Sequence, residues 1–216
     1  MPVLQGLLCC LLLATFMRWG FVIQVSAAER TSAASSSPNG WVVRAWATPE
    51  GLPQNTVNAI VQTHDGYLWV GTREGLARFD GVRFTVFGLG AGLQSVEVRV
   101  LYEDRQGILW IGTGGGGLSR LVDGRIETIS DPQRSAGSGV ITALAEDDEG
   151  CLWIGSLGGL SWWRDGQFFR KEGAGDLEQT GIRSLLRDRH GVIWISTLTG
   201  GLFRFQGNKL QREPGP

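Results

Sequence analysis

The chain has 216 residues, 42% of them hydrophobic and 33 of them glycine, with a formal net charge of −1 at pH 7. That length and apolar content suit one packed domain and exclude a disordered chain. The near-zero charge leaves no electrostatic footprint for nucleic acid or for an anionic membrane surface.

The predicted elements begin with an export segment. Leu7 to Met17 is almost entirely apolar, and Ser26-Ala27-Ala28 supplies small residues for a cut before Glu29, so residues 1–28 read as a signal peptide. No Lys or Arg precedes Leu7, and Arg18 interrupts the apolar run; an uncleaved anchor from Val3 to Val25, with Arg18 snorkelling, therefore stands beside cleavage. A lipoprotein signal calls for a small residue before its cysteine, where Cys9 and Cys10 follow Leu8 and Cys9. Cys151 is then the lone cysteine of the exported part, with no partner for an intramolecular disulfide. It shares a strand slot with Tyr67, Ile108 and Val192, which favours a buried apolar role over a reactive thiol. Residues 29–40, rich in Ser and closed by Pro38-Asn39-Gly40, read as a flexible leader.

One phrase then returns along the chain: DGYLWVGTREGLARFDG from Asp65, QGILWIGTGGGGLSRLVDG from Gln106, EGCLWIGSLGGLSWWRDG from Glu149 and HGVIWISTLTGGLFRFQG from His190. Its tryptophans, Trp69, Trp110, Trp153 and Trp194, recur every 40 to 45 residues or so, the period of propeller blades. Within the first copy, Val57 to Val61, Tyr67 to Gly71, Leu76 to Phe79 and Phe84 to Phe87 read as short strands separated by polar and glycine turns. The fold class is thus all-β, a β-propeller of four four-stranded antiparallel blades over about 57–87, 98–129, 141–171 and 182–212. The runs LWV, LWI and IWI are apolar at every position because a blade packs neighbours on both faces. Burying one such Trp removes on the order of 200 Å² from water, worth several kcal/mol at ~25 cal/mol per Å² before entropy.

Gly66, Gly107, Gly150 and Gly191 close the turn into the Trp strand, where a positive φ favours glycine. Three places earlier stand Asp104, Asp147 and Asp188, with Thr63 in the first copy. An Asx turn capping the hairpin accounts for them better than a Ca²⁺ loop, being far shorter than an EF-hand and without its ligand ladder. Upstream, Gly51-Leu52 matches Gly92-Leu93, which sets Trp41 to Trp46 in register with Val82 to Phe87 as a leading strand over 41–47 without its own blade. Since the last copy supplies its own final strand near Lys209 to Gln211, the spare strand marks a fragment of a longer ring, the partial propeller spanning 41–212.

Propellers bind at the mouth of the central channel, with loops and the starts of the inner strands. The equivalent positions there hold Asn58, Arg99, Thr142 and Arg183, each directly after the apolar residue that opens an inner strand. In a ring these four lie at one height around the axis, where two guanidinium groups and two neutral hydrogen-bonding groups suit an anionic or sugar-like small molecule. The plainer reading makes them the wet face of the inner strands. Trp162-Trp163 likewise reads as a blade-to-blade contact before a sugar-stacking platform. Arg78, Arg120 and Arg204 share one third-strand register with Trp162 and read as an edge position.

The pattern V-x-x-I-x-x-D-x-x-G-x-L-W-I-G-T-x-G-G-L, with the opening WATPEGLPQNTVNAIVQ from Trp46, resembles the two-component regulator propeller repeat over roughly Trp41 to Arg212. The resemblance implies an extracytoplasmic, periplasmic sensor built from seven-bladed rings. It also implies a following membrane helix and an output domain of histidine kinase or diguanylate cyclase type. This chain departs from that plan by stopping after four repeats. The expected function is ligand sensing for signal transduction, without catalysis in this chain and without cofactor or metal. A free-standing periplasmic binding or scaffold propeller is the alternative. The expected partners are a small-molecule or glycan ligand and a second copy through the sensor region, with no nucleic acid; membrane contact would come only from the N-terminal segment or a downstream helix. His64 and His190 sit in blade turns, not in the helical segment a kinase phosphoacceptor needs. The turn-then-Trp pattern also resembles the Asp-box of sialidases, but Tyr67 and Tyr102 sit in strand slots without the arginine triad such an enzyme requires.

Overall fold

The computed structural model describes residues 35–36, 42–129, 139–170, 177, 180–207 and 209–214. The export segment expected over residues 1–28 lies outside the described residues, as does Trp41. The described residues up to Ala45 and those from Trp46 onward belong to two separate compact units. In the first, β1 (Ser35–Ser36) pairs antiparallel with β2 (Val42–Val43). Of the leading strand expected over 41–47, Val42–Val43 is strand, and the described residues 44–47 are not.

The second unit is all-β. Its first sheet contains β3 (Val57–Gln62), β4 (Leu68–Thr72), β5 (Gly75–Phe79) and β6 (Phe84–Phe87). The second contains β7 (Val98–Glu103), β8 (Leu109–Thr113), β9 (Leu118–Val122) and β10 (Arg125–Ile129). The third contains β11 (Ile141–Glu146), β12 (Leu152–Ser156), β13 (Gly159–Arg164) and β14 (Gln167–Phe169), and the fourth β15 (Ile182–Arg187), β16 (Ile193–Thr197), β17 (Leu202–Gln206) and β18 (Lys209–Arg212). Each is an antiparallel meander in chain order, the blade of a propeller. The first strands β3, β7, β11 and β15 neighbour one another in series and so form the inner wall.

Local chemistry builds each blade. Gly66, Gly107, Gly150 and Gly191 have φ between 77° and 88°, a region that side chains disfavour. In the next hairpin the hydroxyls of Thr72, Thr113, Ser156 and Thr197 donate to the carbonyls of Gly75, Gly117, Gly159 and Gly201 at 2.9 to 3.0 Å. Upstream, Thr48–Glu50 and Leu89–Ala91 form equivalent single 3-10 turns, each closed by a left-handed glycine, Gly51 and Gly92.

Three core layers lie between sheets, and a smaller cluster of Leu52, Val70 and Ala77 forms at the first sheet. Trp69 and Leu76 meet Val98, Leu101 and Ile111; Trp110 and Leu118 meet Ile141, Leu144 and Ile154; Trp153 and Leu160 meet Ile182, Ile193 and Ile195. Trp69, Trp110 and Trp153 are buried, whereas Trp194, with no sheet beyond it among the described residues, is only half-buried. Trp163 lies edge-on to Trp110 of the preceding sheet at 6.2 Å, and Trp162 packs against the layer holding Ile193 and Phe203. The pair therefore joins two neighbouring blades. Arg78, Arg120 and Arg204 share the third-strand register expected of them. They stand on the third strand of four-stranded sheets, opposite Trp69, Trp110 and Trp194, and Arg78 stacks on Tyr67 at 4.3 Å.

The candidate ligand basin at the inner strands

A register shift recurs at the start of every inner strand, between Val57 and Ala59, Val98 and Val100, Ile141 and Ala143, and Ile182 and Ser184. The skipped residues are Asn58, Arg99, Thr142 and Arg183. A bulge bends its strand and re-aims the unpaired side chain. Here all four bulges deliver into one basin of about 500 Å³, lined by these residues together with Val57, Leu157, Ile182 and Leu198.

Within the basin the four residues divide into two pairs. Asn58 donates its side-chain amide to the Val98 carbonyl at 2.9 Å, and the Thr142 hydroxyl donates to the Ile182 carbonyl at 2.6 Å. Both bonds run to the next inner strand, so part of the capacity of these residues is architectural. Arg99 lies 3.6 Å from Glu97, itself accessible, and is partly neutralised. Arg183 is exposed and makes no hydrogen bond or ion pair with any other described residue. Chemically, the basin offers one guanidinium unpaired among the described residues, one shared guanidinium, and apolar rims from Leu157 and Leu198. A carboxylate or sulfate on a small polar molecule matches that set, because guanidinium donors bind such oxyanions in a bidentate way.

At the other end of the inner strands the turn aspartates are fully employed. Asp104, Asp147 and Asp188 accept the indole N–H of Trp110, Trp153 and Trp194 through Oδ2 at 2.7 to 2.8 Å. Oδ1 of each accepts two backbone N–H groups, two and four residues on, at 2.8 to 3.0 Å. Among the described residues no cluster of His, Cys, Asp and Glu has the make-up of a metal site. Cys151 is buried and burial pushes its thiol pKa up. Burial likewise raises Tyr102, which packs half-buried against the layer around Trp110.

Sequence reasoning named the four basin residues but missed Glu97, which shares the charge of Arg99, and missed the indole bond of each aspartate. A recurring Asp six places before a Trp, at 104/110, 147/153 and 188/194, carries the second signal.

Comparison with known proteins agrees with this geometry. The family model described as two component regulator propeller matches residues 51–74, 92–115, 135–158 and 176–199. No curated protein matches the chain in sequence. Among solved structures, the chain is similar to the extracellular domain of a protein of B. thetaiotaomicron described as a hybrid two component system. The identity is 21% and the TM-score 0.67, covering 77% of this chain and 24% of that one. A second such extracellular domain from that organism is 26% identical with a TM-score of 0.62, covering 73% of this chain and 22% of that one. A virginiamycin B lyase from Staphylococcus aureus is 14% identical with a TM-score of 0.65, covering 83% and 62%. The chain thus spans about a quarter of the length of the extracellular domains it matches. By its four repeats the chain belongs to the two component regulator propeller family.

Proposed function

We propose that this chain is the ligand-recognising propeller portion of an extracytoplasmic receptor of two-component type, and that its ligand is a small anionic molecule such as an acidic sugar. The observation that carries this reading is the convergence of four equivalent strand bulges on one basin in which Arg183 lacks a partner among the described residues. The family and the extracellular domains of similar fold support the extracytoplasmic setting. An output domain of kinase or cyclase type would lie elsewhere in the receptor, and this chain would perform no chemistry of its own.

The test is titration calorimetry of the protein with carboxylated or sulfated oligosaccharides against their neutral counterparts. Binding should favour the acidic members. Arg183→Ala should weaken it more than Arg99→Ala, because Glu97 already shares the charge of Arg99. Equal binding of neutral and acidic members, or affinity unchanged by both substitutions, would sink the reading. A scaffold role without a small ligand is the second reading, favoured by the blade-to-blade bonds of Asn58 and Thr142.

A further inference from the structure

The three joints between sheets share one construction. In each, the residue that opens an inner strand seats over a glycine of the preceding sheet. A Cβ on Gly71 would lie 2.5 Å from Val98, one on Gly112 2.7 Å from Ile141, and one on Gly155 2.6 Å from Ile182. Real Cβ atoms do not approach so closely, so these glycines are sockets for a β-branched plug. A second contact sits at the rim, where a turn residue meets the last residue of the next inner strand. His64 meets Glu103 at 2.6 Å, Arg105 meets Glu146 at 3.8 Å, and Asp148 meets Arg187. The third pair reverses the sign of the second, yet opposite charges meet in both.

The fourth sheet departs from this pattern on its trailing face. At the socket position stands Ser196, whose hydroxyl lies 2.8 Å from that of Ser184. The turn position holds Arg189, which reaches His190 at 3.2 Å and forms no ion pair with any described residue. The surrounding face is apolar, and no described sheet covers it. Leu202 is 42% exposed where its equivalents Leu76, Leu118 and Leu160 are 0%, 0% and 8%, and Leu186, paired with Trp194 on the same face, is exposed too.

We propose that this face is a docking surface of altered specificity. It takes a blade of the same repeat whose inner strand opens on a residue no bulkier than alanine and ends on a carboxylate. The Cβ and hydroxyl of Ser196 occupy the space a valine or isoleucine plug fills at the other three joints. Arg189 supplies the positive half of a rim pair whose partner must be acidic. The leading face of this same chain does not meet either demand, since it presents Val57 as plug and the uncharged Gln62 at the rim. A second copy in head-to-tail arrangement is therefore not the occupant.

The full chain itself serves as probe, because its leading face can be converted into the required partner. In sedimentation velocity, Val57→Ala combined with Gln62→Glu should associate with a dissociation constant at least tenfold below that of the wild-type chain. Adding Arg189→Glu should reverse the gain. Independently, Ser196→Gly should open the socket to the native Val57 and also tighten association. Far-UV circular dichroism verifies folding of each variant, and Ser196→Gly alone decides if the double variant does not fold. The proposal is overturned if either folded variant associates no more tightly than wild type, or if Arg189→Glu leaves the double variant unchanged.

Discussion

Asp147 holds Trp153 by its indole N–H at 2.8 Å while accepting the backbone N–H groups of Glu149 and Cys151, both at 2.9 Å. One carboxylate thus fastens the turn to the core layer that joins the third and fourth sheets. Asp147→Ala leaves the indole N–H of buried Trp153 and two turn amides without their acceptor. An unsatisfied buried donor costs about 1–3 kcal/mol, so the urea midpoint should fall by that order with the m-value retained. An unchanged midpoint would show the clasp to be ornamental.

The same clasp at Asp188 makes an acid-sensitive element. The Trp194 indole, followed by the N–H groups of His190 and Val192, holds the Asp188 carboxyl below the usual carboxylate range. With the folded pKa depressed, the stabilisation is present above the unfolded pKa near 3.8 and is lost as pH falls through the folded value. Asp188→Asn should therefore lose stability at neutral pH and show a shallower decline in acid than wild type. Carbon-detected NMR titration of Asp188 giving a pKa at or above the usual range would contradict this.

His64 titrates in the opposite sense. The hydrogen bond and charge of Glu103 raise its imidazole above the ordinary 6.5, and Asp65 acts in the same direction. A folded pKa above the unfolded one makes this first-to-second-sheet tie fully present below pH 6.5, to be lost as pH rises through the folded value. The denaturation midpoint should drift downward across that window in wild type and stay flat there in Glu103→Gln.

How much of this could be read from residues alone depends on the range of each interaction. The blades were legible because Trp69, Trp110, Trp153 and Trp194 and the turn glycines act within one hairpin. Asn58, Arg99, Thr142 and Arg183 were legible as a set because equivalent positions in repeats share one height around an axis. Their division into engaged and free groups was not, since it depends on the Val98 and Ile182 carbonyls of neighbouring strands and on Glu97. The purpose of Gly71, Gly112 and Gly155 was not legible either: a socket exists only once the next blade is placed against it.

That socket makes a direct prediction at Gly155. Alanine there would set its Cβ 2.6 Å from the Ile182 side chain and 3.3 Å from the Ala143 Cβ. Overpacking of this kind costs typically ~1–3 kcal/mol, and the strain falls on the joint between the third and fourth sheets. Gly155→Ala should lower the urea midpoint. In Gly155→Ala/Ile182→Ala the loss should be smaller than the sum of the single effects, because contacting residues couple. Strict additivity would mean that the two residues do not share the joint.

The uneven cover of the sheets should also appear in their dynamics. Ile60 on the first inner strand is 61% exposed, whereas Leu101 and Leu144 at the equivalent places are buried against the preceding sheet. Leu186 on the last inner strand is exposed where Ala145 is buried. Local opening free energy follows buried apolar contact, so the outer sheets belong to the low-stability end of the molecule. Native-state hydrogen exchange should show amides of β8 and β12 protected more strongly than those of β4 and β16, though all four strands carry nearly the same sequence. Unfolding should accordingly be broad, the terminal sheets opening before the middle pair as in other repeat arrays. Equal protection across the four Trp strands, with one sharp two-state transition, would show instead that the propeller segment behaves as a single cooperative unit.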